Sequence, residues 1–139
     1  PQAPKPLCLH GTALYMEGCG FILLGPSGAG KSDLALRLLI EGRACLVADD
    51  ICEIRQSNNG PVVCGPKEGA RLLEVRGYGL VQLGHDQWVR KAPLTFALRL
   101  MSHGKIPRVP VRETLDSYPV PVYPLDPFQA SAMAKIHLL

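Results

Sequence analysis

Eight consecutive residues, Gly25-Pro26-Ser27-Gly28-Ala29-Gly30-Lys31-Ser32, fit the pattern G-x-x-x-x-G-K-[S/T] at every fixed position. Residues of these types at this spacing can hold a polyphosphate. Glycines let the backbone curl until successive N–H groups converge on an anion, which side chains would obstruct. Lys31 is placed to reach the β- and γ-phosphates, and the Ser32 hydroxyl to coordinate Mg²⁺. Four fixed positions match by chance in roughly one chain of this length in a few hundred, so the flanks decide. Phe21-Ile22-Leu23-Leu24 leads in as a short buried strand, and Asp33 to Ile40 leads out with helical composition. That helix adds its unpaired N–H groups and the positive end of its dipole.

Carboxylates follow where a phosphate-handling site needs them. Ala44-Cys45-Leu46-Val47-Ala48 reads as a buried strand and ends in Asp49-Asp50. Side chains alternate along an extended chain, so one carboxylate can face the phosphates while the other faces metal, backbone or solvent. Farther on, Leu72-Leu73-Glu74-Val75-Arg76-Gly77-Tyr78-Gly79-Leu80 sets a carboxylate two residues from an arginine, bounded by glycines. Glu74 can serve as a Mg²⁺ ligand and Arg76 as a phosphate or partner contact, or the two can form a surface ion pair. His10 is a lone histidine. By itself it reads as structural, unless a hairpin folds it over the phosphates as a donor.

The elements that must position these residues are legible in part. Leu7 to Met16 is strand-like, interrupted at His10-Gly11, and Glu17-Gly18-Cys19-Gly20 turns it into the strand that feeds the phosphate loop. Gly42 suits a left-handed helix end. Ile51 to Arg55 and Pro61 to Cys64 form a hairpin about Ser57-Asn58-Asn59-Gly60, followed by a loop over Gly65 to Gly69. Gln82 to Lys91 is polar and looped around Trp88, and Leu94 to Leu100 is a core strand. Pro107, Pro110, Pro119, Pro121, Pro124 and Pro127 then permit only short extended pieces or edge strands, before a last helix over Gln129 to Ile136 behind Asp126-Pro127-Phe128.

Composition excludes several classes. The 139 residues suffice for one domain, 1–139, with a core that needs no disulfides. A net charge of +3 without a basic run gives no footprint for nucleic acid. No apolar run is long enough for a membrane span. Cys8, Cys19, Cys45, Cys52 and Cys64 contain no C-x-x-C pair, which points to small buried thiols in a reducing compartment, the cytoplasm.

His10-Gly11, the loop GPSGAGKS, Leu46-Val47-Ala48-Asp49-Asp50 and Leu73-Glu74-Val75-Arg76-Gly77-Tyr78-Gly79 occur in one order. Together they resemble the catalytic domain of HPr kinase/phosphorylase, closely over about residues 7 to 83. The resemblance implies an α/β fold, a P-loop-containing kinase domain with a mixed sheet like that of phosphoenolpyruvate carboxykinases. It implies ATP and Mg²⁺ as cofactors, the phosphocarrier HPr as protein partner, and a homo-oligomer of up to six chains. Lys31 and the backbone of Gly25 to Ser32 would bind ATP, while Ser32, Glu74 and Asp50 would hold Mg²⁺. Asp49 would accept the proton of the incoming serine, His10 would be catalytic, and Arg76 and Gly77 would contact the substrate.

The likeness is to the short form, which begins at the catalytic part. Asp33 stands where the family commonly has Glu, and Val122 to Phe128 occupies the place of a basic loop tied to dephosphorylation. Kinase activity is therefore expected and phosphorolysis is not. Two other classes stay open, a P-loop kinase of a small-molecule acceptor and a nucleotide-binding regulator without turnover.

Overall fold

A computed structural model describes residues 5–26, 28–65 and 72–139. Ser27 and the expected loop over 66–69 lie outside the described residues. The elements are β1 (Leu7–Met16), β2 (Cys19–Leu24), α1 (Lys31–Ile40), β3 (Cys45–Ala48), β4 (Ile51–Ser57) and β5 (Gly60–Cys64). They continue with β6 (Leu72–Val75), β7 (Gly79–Gln82), β8 (Lys91–Leu100), β9 (Thr114–Leu115), β10 (Tyr118–Leu125) and α2 (Ala132–Leu138).

Two ten-residue strands organise the architecture by serving different partners along their length. The first part of β1, Leu7–His10, pairs antiparallel with β4, and the second part, from Gly11 on, pairs with β2 and β3. Likewise β8 pairs with β5 over Lys91–Pro93 and runs parallel to β2 from Leu94 and to β10 from Ala97. With β4 and β5 paired, the circuit β1–β4–β5–β8–β2–β1 closes on itself. A mixed sheet in the order β3–β1–β2–β8–β10 forms one wall. The expected break at His10-Gly11 is instead a change of partner within one continuous strand. Gly11 is required there because a Cβ would sit 2.9 Å from Ile22 Cγ2 and 3.0 Å from the Leu23 carbonyl oxygen.

Period-two alternation divides the strands between two cores. Phe21 and Leu23 of β2 pack with Leu34, Ala35, Leu38 and Leu39 of α1, while Ile22 and Leu24 face the closed side with Ile54, Val63, Val120 and Val122. β8 changes faces at a register shift. Gly20 pairs with Leu94 but Phe21 pairs with Phe96, so Thr95 is the extra residue of a bulge. Leu94 consequently faces the closed side and Phe96 the helical side, where its ring stacks on Phe21 with centroids 5.0 Å apart.

Four further expectations need correction. Gly42 is not the left-handed residue after α1; Arg43 is, with φ 56°. Gly42 serves close packing, since a Cβ there would meet the Leu38 carbonyl oxygen at 3.0 Å and Met133 Cε at 3.3 Å. The prolines do not limit the end of the chain to short pieces, because β10 is an eight-residue strand containing Pro119, Pro121 and Pro124. It tolerates them because its N-terminal part pairs only with β9 and its C-terminal part only with β8, so each stretch has one free edge. The last helix begins at Ala132 rather than Gln129, after turns closed by the Gln129 N–H on the Asp126 carbonyl and the Ala132 N–H on that of Gln129. Finally, the thiols are not uniformly buried. Cys52 is, and burial first, then neighbouring Cys8 and Cys64, pushes its thiol up to about 12. Cys8 is exposed on a stretch of β1 paired only with β4.

Candidate active site at the carboxyl end of the sheet

The phosphate loop leaves β2 at Leu24 and enters α1 at Lys31. Gly25, Gly28 and Gly30 hold φ of 153°, 85° and 100°, a region that side chains disfavour, so the motif's glycines are conformational requirements here. Gly30 caps α1 in a left-handed conformation and its carbonyl accepts the Leu34 N–H at 2.9 Å. Lys31 is only 8% exposed, and its ammonium donates to the carbonyls of Gly25 at 2.5 Å and Pro26 at 3.2 Å. The cation thus lies over its own loop. Ser32 sits half-buried in the first turn of α1, and Asp33 is exposed, paired with Arg37 one turn on at 3.3 Å.

Asp49 and Asp50 join β3 to β4 through a three-residue turn closed by the Ile51 N–H on the Asp49 carbonyl at 2.9 Å. Asp50 at its centre has φ 74°, a strained value for a residue with a side chain, and such strain clusters at functional sites. The turn separates the two carboxylates. Asp49 is half-buried, with Oδ1 accepting the Thr12 hydroxyl at 3.1 Å and Oδ2 accepting the Glu74 N–H at 3.3 Å. Asp50 points the other way, and its Oδ1 lies 2.5 Å from His10 Nε2. Its carbonyl accepts the Gly11 N–H at 2.7 Å, which ties the turn to the point where β1 changes partners.

Glu74 and Arg76 lie on the β6–β7 hairpin, a separate two-stranded sheet. Its turn is closed by the Tyr78 N–H on the Val75 carbonyl, with Gly77 and Gly79 at φ 89° and 88°. The Glu74 and Arg76 side chains are exposed, and the ion pairs among the described residues do not include one between them. The hairpin reaches the site through the Glu74 backbone and is anchored by Leu73, which is fully buried against the α1 core. No three His, Cys, Asp or Glu side chains among the described residues converge as a metal cluster.

The structure therefore brings His10, Asp49, Asp50 and the Glu74 backbone around one turn. The sheet register puts that turn at the same end as the phosphate loop, since Gly11 pairs with Leu24 and Ala13 with Ala48. Arg76 and Gly77 stand out on the hairpin turn. Sequence reasoning missed Thr12, which is fully buried and holds Asp49. The available signal was a hydroxyl inside an otherwise apolar strand, two residues after His10.

A glycine-built phosphate loop between a strand and a helix, with a fixed carboxylate at the end of a nearby strand, defines a P-loop α/β domain. Residues 3–103 match the family described as HPr Serine kinase C-terminal domain, and the chain belongs to that family. It is 35% identical over 111 residues to HPr kinase/phosphorylase of Bacillus licheniformis, an alignment covering 75% of this chain and 36% of that protein. It is 43% identical over 76 residues to HPr kinase/phosphorylase of Exiguobacterium sibiricum, covering 54% of this chain and 24% of that protein. The chain thus spans about a quarter to a third of the length of these curated relatives. Among solved structures, the Hpr(Ser) kinase/phosphatase from Coxiella burnetii superposes with a TM-score of 0.80 at 23% identity, covering 95% of this chain and 87% of that one. The expected α/β fold with a mixed sheet is the fold observed, and the family match spans 3–103, past the stretch 7 to 83 over which the resemblance is close.

Proposed function

We propose that this domain transfers the γ-phosphoryl group of ATP, with Mg²⁺, to a serine hydroxyl of the phosphocarrier protein HPr in the cytoplasm. The observation that carries this reading is Asp49, a carboxylate held by Thr12 and the Glu74 N–H at the phosphate-loop end of the sheet. Two donors fix its orientation, and the remaining lone pairs of its oxygens are free to accept the proton of an incoming hydroxyl. Phosphoryl transfer depends mainly on positioning and charge neutralisation. Lys31 supplies charge by exchanging its bonds to the Gly25 and Pro26 carbonyls for phosphate oxygens, and the loop and α1 supply N–H groups. Asp50 holds the His10 imidazole beside the same turn.

Mg²⁺ keeps several waters and binds through phosphates and one or two protein oxygens. It would neutralise charge on the phosphates. Ser32, in the first turn of α1 next to Lys31, would be one ligand, with Glu74 and Asp50 as further ligands, Asp50 by leaving its contact with His10. Arg76 and Gly77, exposed on the hairpin, would meet the acceptor protein. The forward reaction is the one assigned. At Asp126, both carboxylate oxygens are taken by main-chain donors, and Arg37, which reaches this segment, already donates to the Pro127 carbonyl, so a second anion would meet the carboxylate's charge.

The test is phosphorylation of purified HPr with ATP and Mg²⁺, read by intact mass, beside Asp49→Ala. One added phosphoryl group on a serine, lost in the variant, is the expected result. Clear ATP binding without transfer to HPr would overturn the reading and turn attention to small-molecule acceptors or regulation.

A further inference from the structure

The strands β2, β8 and β10 run parallel and end at Leu24, Leu100 and Leu125. In an open α/β sheet a ligand occupies the crevice outside the carboxyl ends of such strands. The phosphate loop follows β2, so the loops after β8 and β10 border whatever extends from the phosphates on that side. The segment after β10 reaches the phosphate loop directly. A Cβ on Gly30 would lie 3.0 Å from both Pro127 Cγ and Phe128 Cζ.

That segment is pinned from two directions. Arg37 of α1 donates to the Pro127 carbonyl. The Asp126 carboxylate accepts the Phe128 N–H at 2.9 Å and the N–H of His103, from the turn after β8, at 3.1 Å. These bonds fix the backbone at Phe128, whose ring is 69% exposed with its tip beside Gly30. The ring pairs among the described residues, Phe21 with Phe96 and Phe96 with Tyr123, do not involve it. Its exposure leaves the ring accessible at the mouth of the phosphate loop.

We infer that Phe128 is the stacking platform for the nucleobase of the nucleoside triphosphate whose phosphates enter the Gly25–Ser32 loop. The inference rests on the nucleotide reading under Proposed function and names the residue that distinguishes a nucleotide from a bare polyphosphate. Stacking on a π-face tolerates any base. ATP and GTP should therefore bind within a few-fold of one another.

The test is calorimetric binding of MgATP and of magnesium tripolyphosphate to the wild-type chain, Phe128→Ala and Phe128→Trp. The exposed position lets both variants fold. Phe128→Ala should weaken MgATP about tenfold and leave tripolyphosphate unchanged, and Phe128→Trp should restore MgATP. Equal weakening of both ligands would overturn the inference, because Phe128 would then act by shaping the loop. No change in either would overturn it as well. Wild-type protein that binds neither ligand would instead overturn the phosphate-loop reading on which this one stands.

Discussion

The phosphate loop and the β6–β7 hairpin serve the same end of the sheet but are held in opposite ways. The loop is strung between β2 and α1, both of which contribute to the larger hydrophobic core, and its lysine is nearly buried. The hairpin forms its own two-stranded sheet, exposes Tyr78 at 85%, and has Leu73 as its one fully buried side chain. A phosphate site needs preorganised N–H groups and gains from rigidity. A surface that receives a protein needs exposed side chains, which bury only on binding. On the proposed function, the rigid half would take the small charged ligand and the exposed half the acceptor protein, with Asp49 bonded to the second at the end of the first.

The largest effect should come from the junction. Asp49→Asn keeps the size and the Thr12 contact but cannot accept a proton, and phosphotransfer should fall by about 10³-fold with ATP affinity little changed, measured by single-turnover kinetics and binding. A rate within a few-fold of wild type would break the assignment. Next, Leu73→Ala removes the hairpin's anchor and should cost about 3 kcal/mol in urea unfolding, because the side chain is fully buried. If stability hardly changes, the hairpin is held by something other than this core.

Thr12→Val is nearly isosteric and tests how Asp49 is held. It should lower kcat about tenfold and stability by about 1 kcal/mol, with the KM for ATP unchanged. The smallest effect on the fold belongs to Arg76→Ala, exposed on the hairpin turn, with stability within about 0.5 kcal/mol of wild type. Its KM for the protein acceptor should nevertheless rise severalfold while that for ATP stays constant. A rise in the ATP value instead would move Arg76 to the nucleotide side and erase the contrast between the regions.

The phosphate loop was legible because its chemistry is local. Two glycines, a lysine and a serine occupy fixed places in eight residues, and the strand and helix beside them follow from apolar runs. The hairpin at Ser57 to Gly60 was legible for the same reason, since turn residues act on their immediate neighbours. Gly42 and the late prolines misled because their constraints are set at a distance. Gly42 answers to Met133 and Leu38, and β10 tolerates its prolines only because β8 and β9 cover different parts of it.

By itself the sequence determined the glycine loop between a strand and a helix, the adjacency of two carboxylates and the apolar strands that carry them, since all of these depend on spacing within one segment. Only the tertiary structure decided that the two carboxylates diverge, one to Thr12 and Glu74 and the other to His10. It alone set Phe128 beside Gly30, nearly a hundred residues away. The physical reason is that β1 and β8 each exchange partners midway. Such pairing is fixed by closing the sheet on itself, and no single strand's pattern encodes which neighbours complete that closure.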